Sequence, residues 1–167
     1  MNRFVRFFWK KVKHYDHEKY WKRRAYIQNH KGRINLKFLI YTLYIKKADA
    51  YWNASTGIVL GEGSAYFEAP PRLPHELNGI IIAKGTRVGK NATIFHQVTI
   101  GCDHRKAENV PVIGDNVTIY PGAKIFGKIN IGDRVKIGPN AVVFFDVPSD
   151  TTVVAGNSYI IDKNKDN

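Results

Sequence analysis

Between residues 75 and 104 lie three histidines and the only cysteine of this 167-residue chain. His75 sits in Pro74-His75-Glu76-Leu77-Asn78-Gly79, His96 in Phe95-His96-Gln97-Val98-Thr99, and His104 in the loop Cys102–Val110. A hydroxyl is a poor nucleophile until its proton is removed as it attacks, and an imidazole titrating near neutral pH suits that task. Cys102 has no base beside it in sequence and is expected to be a small turn residue rather than a nucleophile. As a single cysteine it cannot form an internal disulfide, which suits a reducing compartment. Asp103, His104, Arg105 and Lys106 crowd charge into one loop, either to meet a charged substrate or simply as solvated surface.

The elements that must position these side chains announce themselves by a beat of six. Ile82, Val88, Ile94 and Ile100 form one run, and Ile113, Ile119, Ile125, Ile131, Ile137 and Val143 form another. A second ladder precedes these steps by two residues, at Ala92 and Val98, then Val117, Ala123, Ile129, Val135, Ala141 and Val147. Gly89, Gly101, Gly114, Gly132 and Gly138 follow the aliphatic step. Neither a helix nor a flat sheet needs a period of six. A coil of three short strands does, because each strand must send a side chain to the same internal line. One coil cannot bury its inward residues; stacked coils bury them together. The interval from Ile100 to Ile113 is 13 rather than 12, which makes the loop after Cys102 an excursion from the stack.

The charge is lopsided. Residues 1–50 carry 14 Lys and Arg against Asp16, Glu18 and Asp49, whereas residues 51–167 carry 12 against 11 acids. Of the net +12, +11 therefore belongs to the N-terminal segment, which also holds Phe4, Phe8, Trp9, Tyr20 and Trp21. Residues 3–13 suit a short basic amphipathic helix, with a second helix predicted over 17–30 between an Asp16 cap and a Gly32 stop. A third helix is expected over 34–51, with Leu36, Ile40, Leu43 and Tyr44 as its buried stripe. Two roles stay open for the segment: a cap on the open end of the coils, or, through residues 1–31, a peripheral contact with anionic membrane. Pro70, Pro71 and Pro74 suggest an interrupted, protruding stretch. The longest apolar run, Phe38 to Ile45, falls far short of the ~20 residues of a membrane span. A cytoplasmic protein is expected, with or without contact at the inner face of the membrane. No nucleic-acid recognition module is evident.

From Gly79-Ile80-Ile81-Ile82 through Val98-Thr99-Ile100-Gly101, then Val112-Ile113-Gly114-Asp115-Asn116-Val117, Pro121-Gly122-Ala123-Lys124-Ile125 and Ile137-Gly138-Pro139-Asn140-Ala141, the chain resembles the hexapeptide-repeat acyltransferases of the serine acetyltransferase-like branch. The resemblance implies a mainly β fold, a left-handed parallel β-helix with an N-terminal α-helical segment. The expected division is a basic, aromatic helical segment over 1–52, the β-helix over 53–161 and a polar tail over 162–167. By the same resemblance His75 matches the family's general base, His96 stands where some members carry a further histidine, and acetyl-CoA is the co-substrate. Gly101, Gly122, Ala123, Lys136 and Pro139 match positions along the cofactor's path, and a homotrimer with clefts at its subunit seams is implied. No metal is expected, because the histidine spacings do not match those of the zinc enzymes of this fold. Pro74 replaces an Asp of the serine-specific members, and Val110 replaces their second histidine. Those departures favour a sugar hydroxyl of a cell-surface polysaccharide or its precursor as acceptor, as in capsule and exopolysaccharide O-acetyltransferases. Serine O-acetylation is the alternative within enzymes, and a polyanion-binding structural solenoid the alternative outside them.

Overall fold

The computed structural model describes residue 12 and residues 14–60, 63–103 and 106–156. Of the helix expected over 3–13, only Val12 falls among them, so that expectation lies outside the described residues, as does His104. The described chain opens with two helices, α1 (His17–Gln28) and α2 (Leu36–Tyr51). Asp16 caps α1 by accepting from the Lys19 N–H, and Asn35 caps α2 by accepting from the Phe38 N–H. Such caps satisfy backbone donors that the first helical turn leaves unpaired.

Thirteen short strands follow: β1 (Ser55–Thr56), β2 (Tyr66–Phe67), β3 (Ile81–Ile82), β4 (Arg87–Val88), β5 (Thr93–Ile94), β6 (Thr99–Gly101), β7 (Val112–Ile113), β8 (Thr118–Ile119), β9 (Lys124–Phe126), β10 (Asn130–Ile131), β11 (Lys136–Ile137), β12 (Val142–Val143) and β13 (Thr152–Val153). They form three parallel sheets, ordered β1-β3-β6-β9-β12, β10-β7-β4-β2 and β13-β11-β8-β5. Each strand pairs with the strand one coil away, so Val112 lies beside Asn130 and Lys124 beside Val142, 18 residues apart in each case. The fold is the expected left-handed parallel β-helix with a helical N-terminal segment. Both aliphatic ladders point inward, and Ile94, Ile100, Ile119, Ile125 and Ile137 are fully buried. Thr86 and Phe67, which fall outside the aliphatic pattern, complete the inner lines of the first coils.

The proline stretch does not protrude. Pro71 is buried, and Arg72 forms a parallel bridge with Thr93, so these residues complete the first coil. The phase of α2 also differs from expectation. Phe38, Thr42, Ile45, Ala48 and Asp49 face inward, while Leu36, Ile40 and Leu43 are exposed. This helix is apolar on both sides, so periodicity alone could not choose the inner one.

Helix α1 closes the open edge of the first coil. The buried Arg24 guanidinium donates to the Thr56 and Ala65 carbonyls, each at 2.8 Å, and to Gln28 Oε1. Gln28 takes the place of a neighbouring strand for Phe67: its Oε1 accepts from the Phe67 N–H and its Nε2 donates to the Phe67 carbonyl. Tyr20 donates to Asp49 Oδ1 at 2.5 Å and lies 2.7 Å from Thr56 Oγ1. One continuous core runs from Tyr20, Trp21 and Ile27 into the coils. A truncation to Gly32 would strip this lid from buried carbonyls.

Two outcomes follow from the lid. Arg24→Met should cost about 2–4 kcal/mol in urea unfolding, because two buried carbonyls lose their donor. Burial, then the neighbouring Asp49, pushes the Tyr20 phenol well above its usual value. In the unfolded chain it titrates near ~10, so the folded state holds its proton to higher pH. The stability this contributes is complete below about pH 10 and is lost as pH rises towards the folded value. Alkaline unfolding should therefore coincide with a cooperative rise in tyrosinate absorbance, which Tyr20→Phe diminishes.

Candidate active site

His75 and His96 occupy the same register position in adjacent coils, three residues beyond the bridged pair Arg72 and Thr93. After them the two coils diverge. Nine residue steps carry Arg72 to Ile81, whereas six carry Thr93 to Thr99, and Ile81 pairs with Thr99. The three extra residues form a turn through Glu76, Leu77 and Asn78, anchored by fully buried Leu77. The Gly79 N–H donates to the carbonyl of Trp52, at the end of α2, and the Asn78 carbonyl accepts from the Gln97 N–H. This detour leaves His75 exposed above His96.

The two imidazoles meet. Their Nδ1 atoms are 2.5 Å apart and their ring centroids 4.5 Å apart, tilted by 48°. Phe95 presents its ring to His75 at 82° and 5.8 Å, and lies parallel to Tyr120 of the next coil at 5.4 Å. Below the pair the corner is fixed by stacked turns. The Gly122 N–H donates to the His96 carbonyl, and the Asn140 N–H to the Pro121 carbonyl. Gln97, Gly122 and Asn140 all adopt positive φ, of 58°, 74° and 56°. Gly122 is glycine for a second reason: a Cβ there would lie 2.1 Å from Asn140 Oδ1. Lys124 pins the corner from the side, its ammonium donating to the Gln97 carbonyl at 2.7 Å and the Gly122 carbonyl at 3.0 Å. Nothing in the sequence marked Lys124 or Tyr120 as near the histidines; only the one-coil offset between strands brings them there.

A contact between two Nδ1 atoms permits one proton between them, so one ring donates and the other accepts. If His75 donates, its Nε2 keeps a free lone pair, while His96 carries its own proton on Nε2. The accepting ring then does for His75 what a carboxylate does in a Ser-His-Asp triad: it holds the tautomer and steadies the imidazolium that forms. Pro74, where the serine-specific pattern has an acid, therefore does not leave His75 without an orienting partner.

The other expected positions divide. Gly122 and Pro139 share the histidine corner, with Pro139 exposed. The Ala123 side chain is fully buried on the inner ladder, so only its backbone can meet a ligand. Gly101 ends β6 beneath the Phe126 ring, and Lys136 stands exposed on β11, in a different sheet. The Cys102 loop is closed by Asp103, which accepts from the Lys106 N–H and from Asn109 Nδ2. Cys102 itself is half-buried. Among the described residues no group of three or more His, Cys, Asp or Glu is placed to hold a metal ion.

Residues 111–144 match the family model described as bacterial transferase hexapeptide (six repeats). That match falls on coils of the three-sheeted β-helix and marks them as similar to the hexapeptide transferases. Relatives similar to the chain include serine acetyltransferases. The enzyme of that name from Helicobacter pylori is 40% identical over 88 residues, 52% of each chain. That from Staphylococcus xylosus is 43% identical over 84 residues, 50% of this chain and 39% of its own. The crystal structure of Neisseria gonorrhoeae serine acetyltransferase in complex with serine superposes with a TM-score of 0.58 at 30% identity, covering 71% of this chain and 46% of that one. The chain thus spans about half the length, or less, of the relatives it matches. These likenesses overturn the expectation of a sugar acceptor. Val110 and Pro74 are single departures, whereas the likeness to serine acetyltransferases extends over 84 to 88 residues.

The paired geometry makes a spectroscopic prediction. In ¹⁵N-labelled protein above the imidazole titration range, His75 should carry its proton on Nδ1. In His96→Ala it should relax towards the Nε2-protonated form. An unchanged His75 tautomer in that variant would show that His96 does not orient it.

Proposed function

We propose that the protein is a serine O-acetyltransferase that takes its acetyl group from acetyl-CoA. The observation that carries this is the His75–His96 pair on the outer corner of a β-helix whose relatives are serine acetyltransferases. His75 Nε2 removes the serine hydroxyl proton as the oxygen attacks the thioester carbonyl, and the charge that develops on the ring is shared with His96 through the Nδ1 contact. The tetrahedral intermediate collapses by breaking the C–S bond. The departing thiolate recovers the proton from His75, leaving O-acetylserine and free CoA. No enzyme nucleophile is needed, since holding donor and acceptor in one cleft supplies the entropic advantage.

The cofactor arm runs along the later coils, past Gly122, the Ala123 backbone and Pro139 at the histidine corner, with Gly101 and Lys136 on the flanking sheets. A homotrimer is supported by outward apolar residues on one side of the coil: Ile81 and Val142 project from the five-stranded sheet and are 40% and 56% exposed. The histidine corner borders that sheet, so a neighbouring copy there would form the second wall of the cleft.

Thiol release from acetyl-CoA, measured against serine and against a panel of sugars and glycan fragments, tests the proposal. Serine should give turnover and the sugars none. His75→Ala should lower turnover by about 10²–10⁴-fold while leaving acetyl-CoA binding nearly intact. If His96→Ala is inactive and His75→Ala active, the roles are reversed. No release above the acceptor-free rate with serine would overturn the proposal.

A further inference from the structure

The outer face of α2 is unlike the outside of an ordinary surface helix. Leu36, Ile40 and Leu43 lie in one stripe and are 73%, 50% and 70% exposed, with Leu39 beside them. The opposite face already supplies Phe38, Ile45 and Ala48 to the core. A helix apolar on both faces is one whose outer face is also covered. The charges around the stripe say by what. Lys37, Lys46 and Lys47 are its exposed charged neighbours on the helix, and the one acid of α2, Asp49, is buried among the lid hydrogen bonds. Along one flank, between α1 and α2, runs an open groove of about 470 Å³ whose lining includes Lys22, Lys31, Lys37, Tyr26 and Tyr41 and no carboxylate. Lys37 stands over the Tyr26 ring at 4.6 Å, which keeps its ammonium at the groove wall. A second copy of the chain laying the same stripe against this one would bring like charges together. An anionic bilayer meets both needs at once, taking leucines into the acyl boundary and lysines among phosphates.

We infer that α2 is a lipid-facing element: Leu36, Ile40 and Leu43 enter the surface of an anionic phospholipid membrane, while the lysine groove beside them holds a lipid phosphate. This contact is independent of acetyl transfer. It also differs from a contact made through residues 1–31 alone, since its apolar anchor lies on α2.

The full-length protein should pellet with vesicles containing phosphatidylglycerol and stay in solution with phosphatidylcholine alone. Leu36→Ser with Leu43→Ser alters exposed side chains only, so melting and light-scattering mass should be unchanged, while binding to the anionic vesicles falls at least about tenfold. Lys37→Glu with Lys47→Glu gives a second, charge-based reading should the serine variant fold poorly, and is expected to lose binding to a similar degree. Failure of the parent to pellet with anionic vesicles would overturn the inference. So would undiminished pelleting of a folded variant, or a drop in assembly mass in the serine variant, which would make the stripe a contact between copies.

Discussion

A stack of parallel coils always ends in a row of backbone groups with no next coil to pair with, and the rest of this structure depends on how that row is satisfied. At the N-terminal end the solution is two side chains from α1. Arg24 supplies donors to the Thr56 and Ala65 carbonyls, and Gln28 presents an amide to Phe67 as a strand would. Burial lowers the Arg24 pKa to about 10, still high enough for the guanidinium to stay charged at neutral pH, and it lies over the Phe67 ring at 4.2 Å. Unsatisfied buried carbonyls would cost more than the coil edge could recover. The same lid reaches the histidine pair, because α2 is capped at its C-terminus by Trp52, whose carbonyl receives the N–H of Gly79 in the turn that follows His75.

The site itself is a local break in a repeating pattern. Stacked coils place equivalent residues one above another, so a histidine in one coil meets whatever holds the same register in the next. Here both positions are histidine. The three residues inserted after His75 lift that ring to the surface without disturbing the strand pairing on either side. The positive-φ residues and Lys124 beneath the pair make the corner stiff, and a stiff corner keeps the two Nδ1 atoms in contact.

The loss of an acid before His75 and of a histidine at Val110 favoured a sugar hydroxyl over free serine, and the likeness to serine acetyltransferases runs against that reading. The structure places His96 against His75 where the acid would stand, and the likeness to serine acetyltransferases spans about half of the chain.

The ladders were legible from the sequence because a coil of three strands imposes its period on every inward residue, and each of those aliphatic positions is buried. So were the two described helices with their Asp16 cap and Gly32 break. The inner face of α2 was not, since helical periodicity fixes a spacing but not a phase when both faces are apolar. Nor was the meeting of His75 with His96. Their separation of 21 residues is one 18-residue coil plus three, and a sequence cannot say where in the coil three extra residues are spent. Only strand pairing decided that they follow His75, which leaves the two rings in register. The lid was hidden for the same reason. An arginine and a glutamine on a polar-looking helix become interior hydrogen-bond partners only once the coil edge they cover has formed.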